Sequence, residues 1–197
     1  MQIAYTLAQG RGDTDQILHQ LSQRLLAAGH APCGVVQINS ERTDSCRCDM
    51  DVQVLPAGPV IRISQTLGEE ARGCRLDPAA LEEAVALTER ALQQGAEMLI
   101  INKFGKHEAE GRGFRAAIGE ALGLGLPVLV GLNHLNQEAF FEFIGDLGVA
   151  LRPDVAALEV WAKAQLATQP GAEPFAAENG IAEASSGPSM ALSSTAA

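Results

Sequence analysis

The chain has 197 residues, 47% of them apolar, and a formal net charge of −10 at pH 7. This length allows one domain with a sizeable core plus an extension. The acidic balance disfavours nucleic acid and anionic membranes as partners, because both select basic surfaces. No apolar run approaches the roughly 18 residues that span a bilayer, and the first residues contain no basic leader. A cytoplasmic location is therefore expected.

The first part of the chain alternates strand and helix patterns. Residues 2–7 predict a short buried strand, which the turn "AQGRGDTD" connects to a helix with apolar residues at helical spacing. The β-branched run "CGVVQI" (33–38) predicts a strand buried on both faces. Residues 39–76 predict an irregular insertion that contains a small hairpin, with strands at 51–55 and 59–63.

A further helix begins at Asp77 and Pro78, an N-cap followed by proline at the first helical position, and runs to about Gln94. The remaining predicted elements are a strand at 98–101, a helix at 113–122, a strand at 126–132, a helix from Asn136 to Ile144 and a helix at 154–166. Residues 167–197 lack Lys and Arg and are rich in Ala, Ser, Pro and Gly, so a disordered tail is expected.

This order of elements predicts a three-layer αβα domain over residues 1–166, with a mainly parallel sheet and a small β-hairpin insertion. Ligands of such sheets bind at the carboxyl ends of the strands. Three loops lie at those ends: the glycine turn, the segment after Ile38, and "NKFGKHEAEGR" (102–112).

The glycine turn has part of a phosphate-binding pattern. A P-loop combines glycines, a lysine that reaches the phosphates and a Ser or Thr for magnesium. Here Thr14 is present, but Asp13 occupies the lysine position. A carboxylate about 4 Å from a phosphate charge costs on the order of 4 kcal/mol at an effective dielectric of 20. The candidate binding residues of the turn are Gly10, Arg11, Gly12, Asp13 and Thr14.

Two interpretations of this turn remain open. Asp13 can cap its own helix, with Gln16 three residues later completing a capping box and Asp15 adding charge at the helix N-terminus. Alternatively, the turn still binds an anion, and Arg11 supplies the positive charge.

The strand at 98–101 is followed by "NKFGKHE" (102–108), then by "AEGRGF". This stretch resembles the thermophile or cancer-related P-loop nucleoside triphosphatases, in which the strand ends in Asp-Glu-Ile-Gly-Lys-x-Glu. The resemblance extends over about residues 1–145. A closer resemblance, through "ISQTLGEEARGCRLDP" and "NKFGKHEAEGRGF", is to a bacterial domain of unknown function associated with molybdate transport; it implies a role in molybdenum metabolism and a molybdenum-related protein partner.

The chain departs from the triphosphatase pattern at the positions that carry the chemistry. In that family the Asp holds magnesium and the Glu orients water. Asn102 removes the first charge, Lys103 reverses the second, and Asp13 replaces the phosphate-binding lysine. We therefore expect that hydrolysis by the family route is lost.

The same changes make the strand end cationic, which suits a tetrahedral oxyanion such as molybdate. The anion-binding candidates outside the turn are Arg62, Arg72, Arg75, Lys103, Lys106 and Arg112. The competing interpretation is that Glu108 and Glu110 pair with these cations and that Asp13 pairs with Lys103. His107 and His134 are further candidates for the same edge.

The sequence thus supports a non-catalytic P-loop-like binding or accessory protein that recognises an oxyanion or a nucleotide. The alternative is a residual nucleotide hydrolase or phosphotransferase acting on a magnesium nucleotide, with Lys103 or Lys106 on the phosphates and Glu108 or Glu110 as base. A scaffold whose site is filled by its own salt bridges is a third interpretation.

Four cysteines, at positions 33, 46, 48 and 74, are expected to be reduced free thiols in a cytosolic protein. The alternative is a soft-metal site formed by Cys46, Cys48 and Cys74 with a histidine.

Overall fold

The computed structural model describes residues 2–10, 12–40, 49–65 and 76–169. The strands are β1 (Ile3–Thr6), β2 (Pro32–Ser40), β3 (Asp49–Leu55), β4 (Val60–Arg62), β5 (Met98–Ile101), β6 (Val128–Gly131) and β7 (Gly148–Leu151). The helices are α1 (Asp13–Ala27), α2 (Pro78–Gln93), α3 (Lys106–Ala109), α4 (Arg115–Gly123), α5 (Gln137–Ile144) and α6 (Val155–Leu166).

The seven strands form one sheet in the order β4-β3-β2-β5-β6-β1-β7. β2, β5, β6, β1 and β7 run parallel, which confirms the predicted mainly parallel αβα architecture. The predicted hairpin is present as β3 and β4, but it is not a separate unit. β3 pairs antiparallel with β2 over Gly34–Ser40, so the hairpin extends the main sheet by two strands.

Helices cover both faces of the sheet because the central strands are apolar on both sides. Within β5, Leu99 and Ile101 pack on one face with α2, α4 and α5. Met98 and Ile100 pack on the other face, against α1 and α6. The four residues of β5 are completely buried, and the predicted strand has the observed bounds.

The start of α2 follows from local chemistry. The Asp77 side chain accepts hydrogen bonds from the backbone N–H groups of Ala79 and Ala80, at 3.0 and 3.3 Å, and Pro78 takes the first helical position. This is the predicted N-cap, and its carboxylate also suits the positive end of the helix dipole.

Two elements were not predicted. β7 is a four-residue edge strand whose pairing with β1 joins residues about 145 positions apart, so local pattern contains little signal for it. The one-turn helix α3 lies inside the segment predicted as a loop. Among the described residues, no helix has both the length and the apolarity needed to cross a membrane.

Candidate functional site

The carboxyl ends of β1, β5 and β6 enclose a cavity of about 280 Å³, which we call the glycine-loop cavity. Its wall includes Gly10, Gly12 and Thr14 from the turn after β1. Lys103 comes from the end of β5, and His134 comes from the end of β6. A cavity thus lies at the predicted strand-end position, and of the predicted candidates Gly10, Gly12, Thr14 and Lys103 line it, whereas Asp13 does not.

The turn enters α1 through Gly12, which adopts a left-handed conformation with φ of 86°. This conformation favours glycine because it lacks a Cβ atom. The Thr14 hydroxyl accepts a hydrogen bond from the backbone N–H of Ala8 at 3.2 Å, and this contact closes the turn.

The capping box predicted for Asp13 and Gln16 is wrong. Gly12 is the N-cap, no side chain caps the helix, and Asp13 is the first helical residue. Asp13 is exposed, and its carboxylate lies over Gly10. A Cβ atom at position 10 would lie 2.2 Å from the Asp13 Oδ2 atom, so the absence of a side chain at Gly10 leaves space for this carboxylate.

Asn102 joins the two sides of the site and is 3% exposed. Its Nδ2 atom donates to the Asp15 Oδ1 atom at 2.8 Å, and its Oδ1 atom accepts from the backbone N–H of Gln37 at 2.9 Å. The amide therefore links α1 to β2 across the end of β5. A carboxylate at this position would lack the donor that Asp15 requires.

Lys103 pairs with Asp15 rather than with the predicted partner Asp13. The Lys103 Nζ atom lies 3.7 Å from the Asp15 Oδ1 atom. Residues 13 and 15 of a helix point in nearly opposite directions, and Asp15 is the one that faces the sheet. Asp15 lies three residues before Leu18 and seven before Ser22, both of which are buried. This helical spacing indicates that Asp15 lies on the buried face of α1.

Glu108 is buried and closes the loop between β5 and α4. Its Oε2 atom accepts from the backbone N–H of Gly105 at 2.8 Å, and its Oε1 atom accepts from the N–H of Phe114 at 3.1 Å. At Gly113, where φ is 57°, a Cβ atom would lie 2.3 Å from Oε1. This setting gives Glu108 a role in the structure of the loop itself.

Lys106 and Arg112 share one carboxylate at the outer surface of this loop. The Lys106 Nζ atom lies 3.6 Å from Glu110, and the Arg112 guanidinium makes a close hydrogen bond with the same side chain. The Arg112 hydrogen bond and, after it, the charge of Lys106 lower the pKa of the Glu110 carboxyl from its ordinary value of 4.5.

Arg62 does not join these cations. It pairs across β3 and β4 with Asp51, at 3.0 Å from Nε to Oδ1, and is not among the lining residues of either cavity described here. The strand alternation explains this placement: Val52 and Ile63, the sequence neighbours of the pair, line a cavity on the opposite face. The predicted site residues Arg11, Arg72, Arg75, Cys46, Cys48 and Cys74 lie outside the described residues.

A larger cavity, of about 480 Å³, lies beside β2, β3 and α2, and we call it the apolar cavity. Its walls are mainly apolar, and the loop 102–114 contributes its polar mouth. Lys106, His107 and Arg112 line this cavity and not the glycine-loop cavity, while Lys103 lines both. This cavity is not predictable from local sequence patterns, because its walls come from segments far apart in the chain.

The charged side chains that line the glycine-loop cavity limit which ligands it can bind. Among the described residues, Lys103 is the lysine that lines it, and Asp15 and His134 line it as well. An anion bound there would have to share Lys103 with Asp15. Within the described ranges, no group of three or more His, Cys, Asp or Glu side chains is arranged to hold a metal ion.

One curated relative and one solved structure are similar to this chain. The molybdenum import ATP-binding protein ModC 2 of Bradyrhizobium diazoefficiens is 35% identical over 159 residues, which are 81% of this chain and 18% of that protein. The chain therefore spans less than a fifth of the relative's length. The crystal structure of THEP1 from the hyperthermophile Aquifex aeolicus aligns with a TM-score of 0.58 and 16% identity, over 83% of this chain and 96% of that one.

The alignment with THEP1 shows that the two chains share the αβα fold, in agreement with the mainly parallel seven-stranded sheet. A family model matches residues 3–161, which include the six helices and seven strands of the described structure, apart from the end of α6. The chain belongs to the family described as protein of unknown function DUF2478.

Proposed function

We propose that this domain is a non-catalytic, P-loop-like binding or accessory protein of molybdenum metabolism that recognises a small oxyanion such as molybdate, or a nucleotide. The observation that carries the proposal is the position of Asn102. It stands where a hydrolase of this fold has an acidic residue for magnesium, and both ends of its amide are engaged by α1 and β2.

The non-catalytic assignment rests on three side chains. Asn102 brings no negative charge to a magnesium ion, Lys103 replaces the water-orienting carboxylate, and Asp13 replaces the lysine of the turn. Phosphoryl transfer depends almost entirely on positioning and on charge stabilisation. Reversed charges at these positions oppose both.

Anion recognition is supported by the loose pairing of Lys103. Its Nζ atom is 3.7 Å from Asp15, which is longer than a hydrogen bond, and 42% of its side chain is exposed. Lys103 can therefore turn towards an anion in the glycine-loop cavity at little cost. The molybdenum connection is supported by the 35% identity to part of a molybdenum import ATP-binding protein.

Isothermal titration calorimetry with molybdate, tungstate, sulfate and phosphate tests this proposal. We expect molybdate or tungstate to bind with a Kd in the micromolar to millimolar range, and the Lys103→Gln variant to bind about tenfold more weakly. Lys163→Gln is the matched control, because Lys163 is an exposed cation paired with Glu159 on α6. Absence of heat from every anion at millimolar concentration, and from ATP and GTP, would refute ligand recognition.

A residual nucleotide hydrolase is the second candidate, because Thr14 and Lys103 line the same cavity. In this function Lys103 would contact the phosphates of a magnesium nucleotide, whereas the other predicted candidates, Lys106, Glu108 and Glu110, line the apolar cavity instead. Phosphate release from ATP and GTP with magnesium tests it. Release that disappears in Thr14→Val would establish hydrolysis and overturn the non-catalytic assignment.

A further inference from the structure

The apolar cavity is larger than the glycine-loop cavity and, among the described residues, shares only Lys103 with it. Its walls include the apolar side chains of Val35, Met50, Val52, Ile63, Leu81 and Phe114. Most of these are well shielded from bulk solvent: Val35 is 2% and Phe114 3% exposed. They nevertheless leave about 480 Å³ unfilled among the described residues.

The cavity opens to solvent at its mouth and extends between well-buried apolar side chains. It falls within the range of roughly 300–1,000 Å³ that is typical of small-molecule sites. Its apolar walls give water molecules few hydrogen-bond partners. A ligand with an apolar body would therefore gain free energy by displacing that water.

The mouth of the cavity is rich in basic side chains. Among the described residues, Lys103, Lys106 and Arg112 line it together with the acidic Glu108 and Glu110, and Lys103 also lies 3.7 Å from Asp15. Of the acidic pair, Glu108 directs both oxygens at backbone N–H groups, and Glu110 is shared by Lys106 and Arg112. Lys106 and Arg112 together therefore carry one more positive charge than the Glu110 carboxylate they share, in a chain whose net charge is −10.

We propose that the apolar cavity binds an organic anion that has a compact apolar ring body and one terminal phosphate or carboxylate group. The ring lies between β3 and α2, against Val52 and Leu81, and the anionic group lies at the mouth. There, Lys106 supplies charge and the Arg112 fork suits the paired oxygens of a phosphate or carboxylate. This site and ligand class go beyond the small oxyanion proposed for the glycine-loop cavity.

Three probes separate the two halves of such a ligand: 1-naphthyl phosphate, inorganic phosphate and uncharged 1-naphthol. We expect the full-length chain to bind 1-naphthyl phosphate at least tenfold more tightly than either of the others, as measured by calorimetry. Equal affinity for inorganic phosphate would show that the apolar walls contribute nothing. Equal affinity for 1-naphthol would show that the basic mouth contributes nothing. Either result overturns the proposal.

Variants locate the binding site. The double variant Lys106→Gln/Arg112→Gln should weaken 1-naphthyl phosphate binding at least tenfold and leave 1-naphthol binding unchanged. Lys163→Gln is the control, because the Lys163–Glu159 pair has the same i,i+4 spacing as Lys106–Glu110 and lies on α6. Unchanged affinity in the double variant would overturn the proposal.

Filling the cavity tests the position of the ring. Val52→Phe should reduce 1-naphthyl phosphate binding at least tenfold while the melting temperature shows a folded protein. If that variant does not fold, Met50→Phe serves instead, because Met50 is only partly buried. Retained affinity in a folded filling variant would place the ring elsewhere and overturn the proposal.

The outcome is separable from that of the proposed function. Molybdate titration of the Lys106→Gln/Arg112→Gln variant should give the heat of the unmodified protein, and saturating molybdate should leave 1-naphthyl phosphate binding unchanged. Competition between the two ligands, with loss of both in the double variant, would show one shared anion site and overturn the assignment of a separate one.

Discussion

At the scale of single residues, Asn102 determines how the site is assembled. It is an uncharged side chain that donates to one partner and accepts from another. A carboxylate accepts but does not donate when ionised, so it cannot replace both contacts. Asn102 therefore holds α1 and β2 together, and a negative charge at this position should disturb the structure.

We predict that Asn102→Asp lowers the free energy of unfolding by about 2–3 kcal/mol at pH 7.5, because two carboxylates would meet at hydrogen-bond distance. One carboxyl of the pair would then have a folded-state pKa above its unfolded value. The stability that this carboxyl contributes in its protonated form is present below the unfolded-state pKa and is lost as pH rises through the folded-state pKa. The destabilisation caused by Asn102→Asp should therefore be smaller at pH 4.5 than at pH 7.5. Urea denaturation at both pH values measures it.

Asn133→Asp is the matched control. The Asn133 Oδ1 atom accepts from the backbone N–H of Asn136 at 3.0 Å, and an aspartate preserves this cap. We expect its stability to change by less than about 0.5 kcal/mol. An Asn102→Asp variant as stable as this control at pH 7.5 would contradict the bridging role of Asn102.

Glu110 offers a direct test of the charges at the surface of the loop. Arg112 first, and Lys106 after it, lower the pKa of the Glu110 carboxyl from 4.5. Because the pKa of Glu110 is lower in the folded state, its ion pair stabilises the protein at pH values above the unfolded-state pKa. This stabilisation is lost as pH falls through the folded-state pKa. We expect an NMR titration midpoint below 4.5 for Glu110, and a higher midpoint in Arg112→Gln. An unchanged midpoint would show that the pair does not persist in solution.

At the scale of elements, the loop 102–114 is organised from within. Glu108 binds the backbone at both ends of its own turn, at Gly105 and Phe114, and Phe114 places the start of α4 in the core. The loop therefore presents Lys103, Lys106 and Arg112 from a fixed backbone. Fixed positioning of this kind reduces the entropy lost on binding a ligand.

We predict that Glu108→Ala lowers the free energy of unfolding by about 2–4 kcal/mol, because two backbone donors lose their acceptor. The control is Glu110→Ala, two residues away, which removes only an exposed ion pair and should leave the free energy of unfolding nearly unchanged. Urea denaturation compares the two. Equal effects would mean that the Glu108 contacts are replaced by water at no cost.

The elements also show what sequence can and cannot predict. The limits of β5 and the start of α2 depend on nearby residues and were predicted. The pairing of Lys103 with Asp15 depends on how α1 is rotated over the sheet. The sequence alone predicts Asp13 as the partner of Lys103, and this prediction is wrong. The spacing of Asp15 from Leu18 contained that information, but β7 and the apolar cavity arise only from contacts between distant segments.

At the scale of the whole molecule, the sheet is covered on both faces, and its central strands exclude solvent. Cys33 on β2 is completely buried there. Burial raises the pKa of its thiol to about 12, so the reactive thiolate is scarce at neutral pH. The thiol should react only when the sheet itself opens.

We predict that iodoacetamide at pH 8 leaves Cys33 unlabelled in the native protein and labels it fully in urea, as measured by peptide mass spectrometry. The destabilised Asn102→Asp variant should label faster, because labelling follows the population of the open state. Rapid labelling of Cys33 in the native protein would contradict its position in a closed sheet.

The direction of α6 determines where this domain can be tethered. α6 follows β7 and returns along the sheet, so that Gln169 donates to the backbone carbonyl of Glu97, just before β5, at 3.0 Å. β1 also begins at that edge. Residues 2 and 169 therefore leave the sheet opposite both cavities. A segment joined at residue 2 or at residue 169 would therefore start from the edge of the sheet that lies away from the glycine-loop cavity.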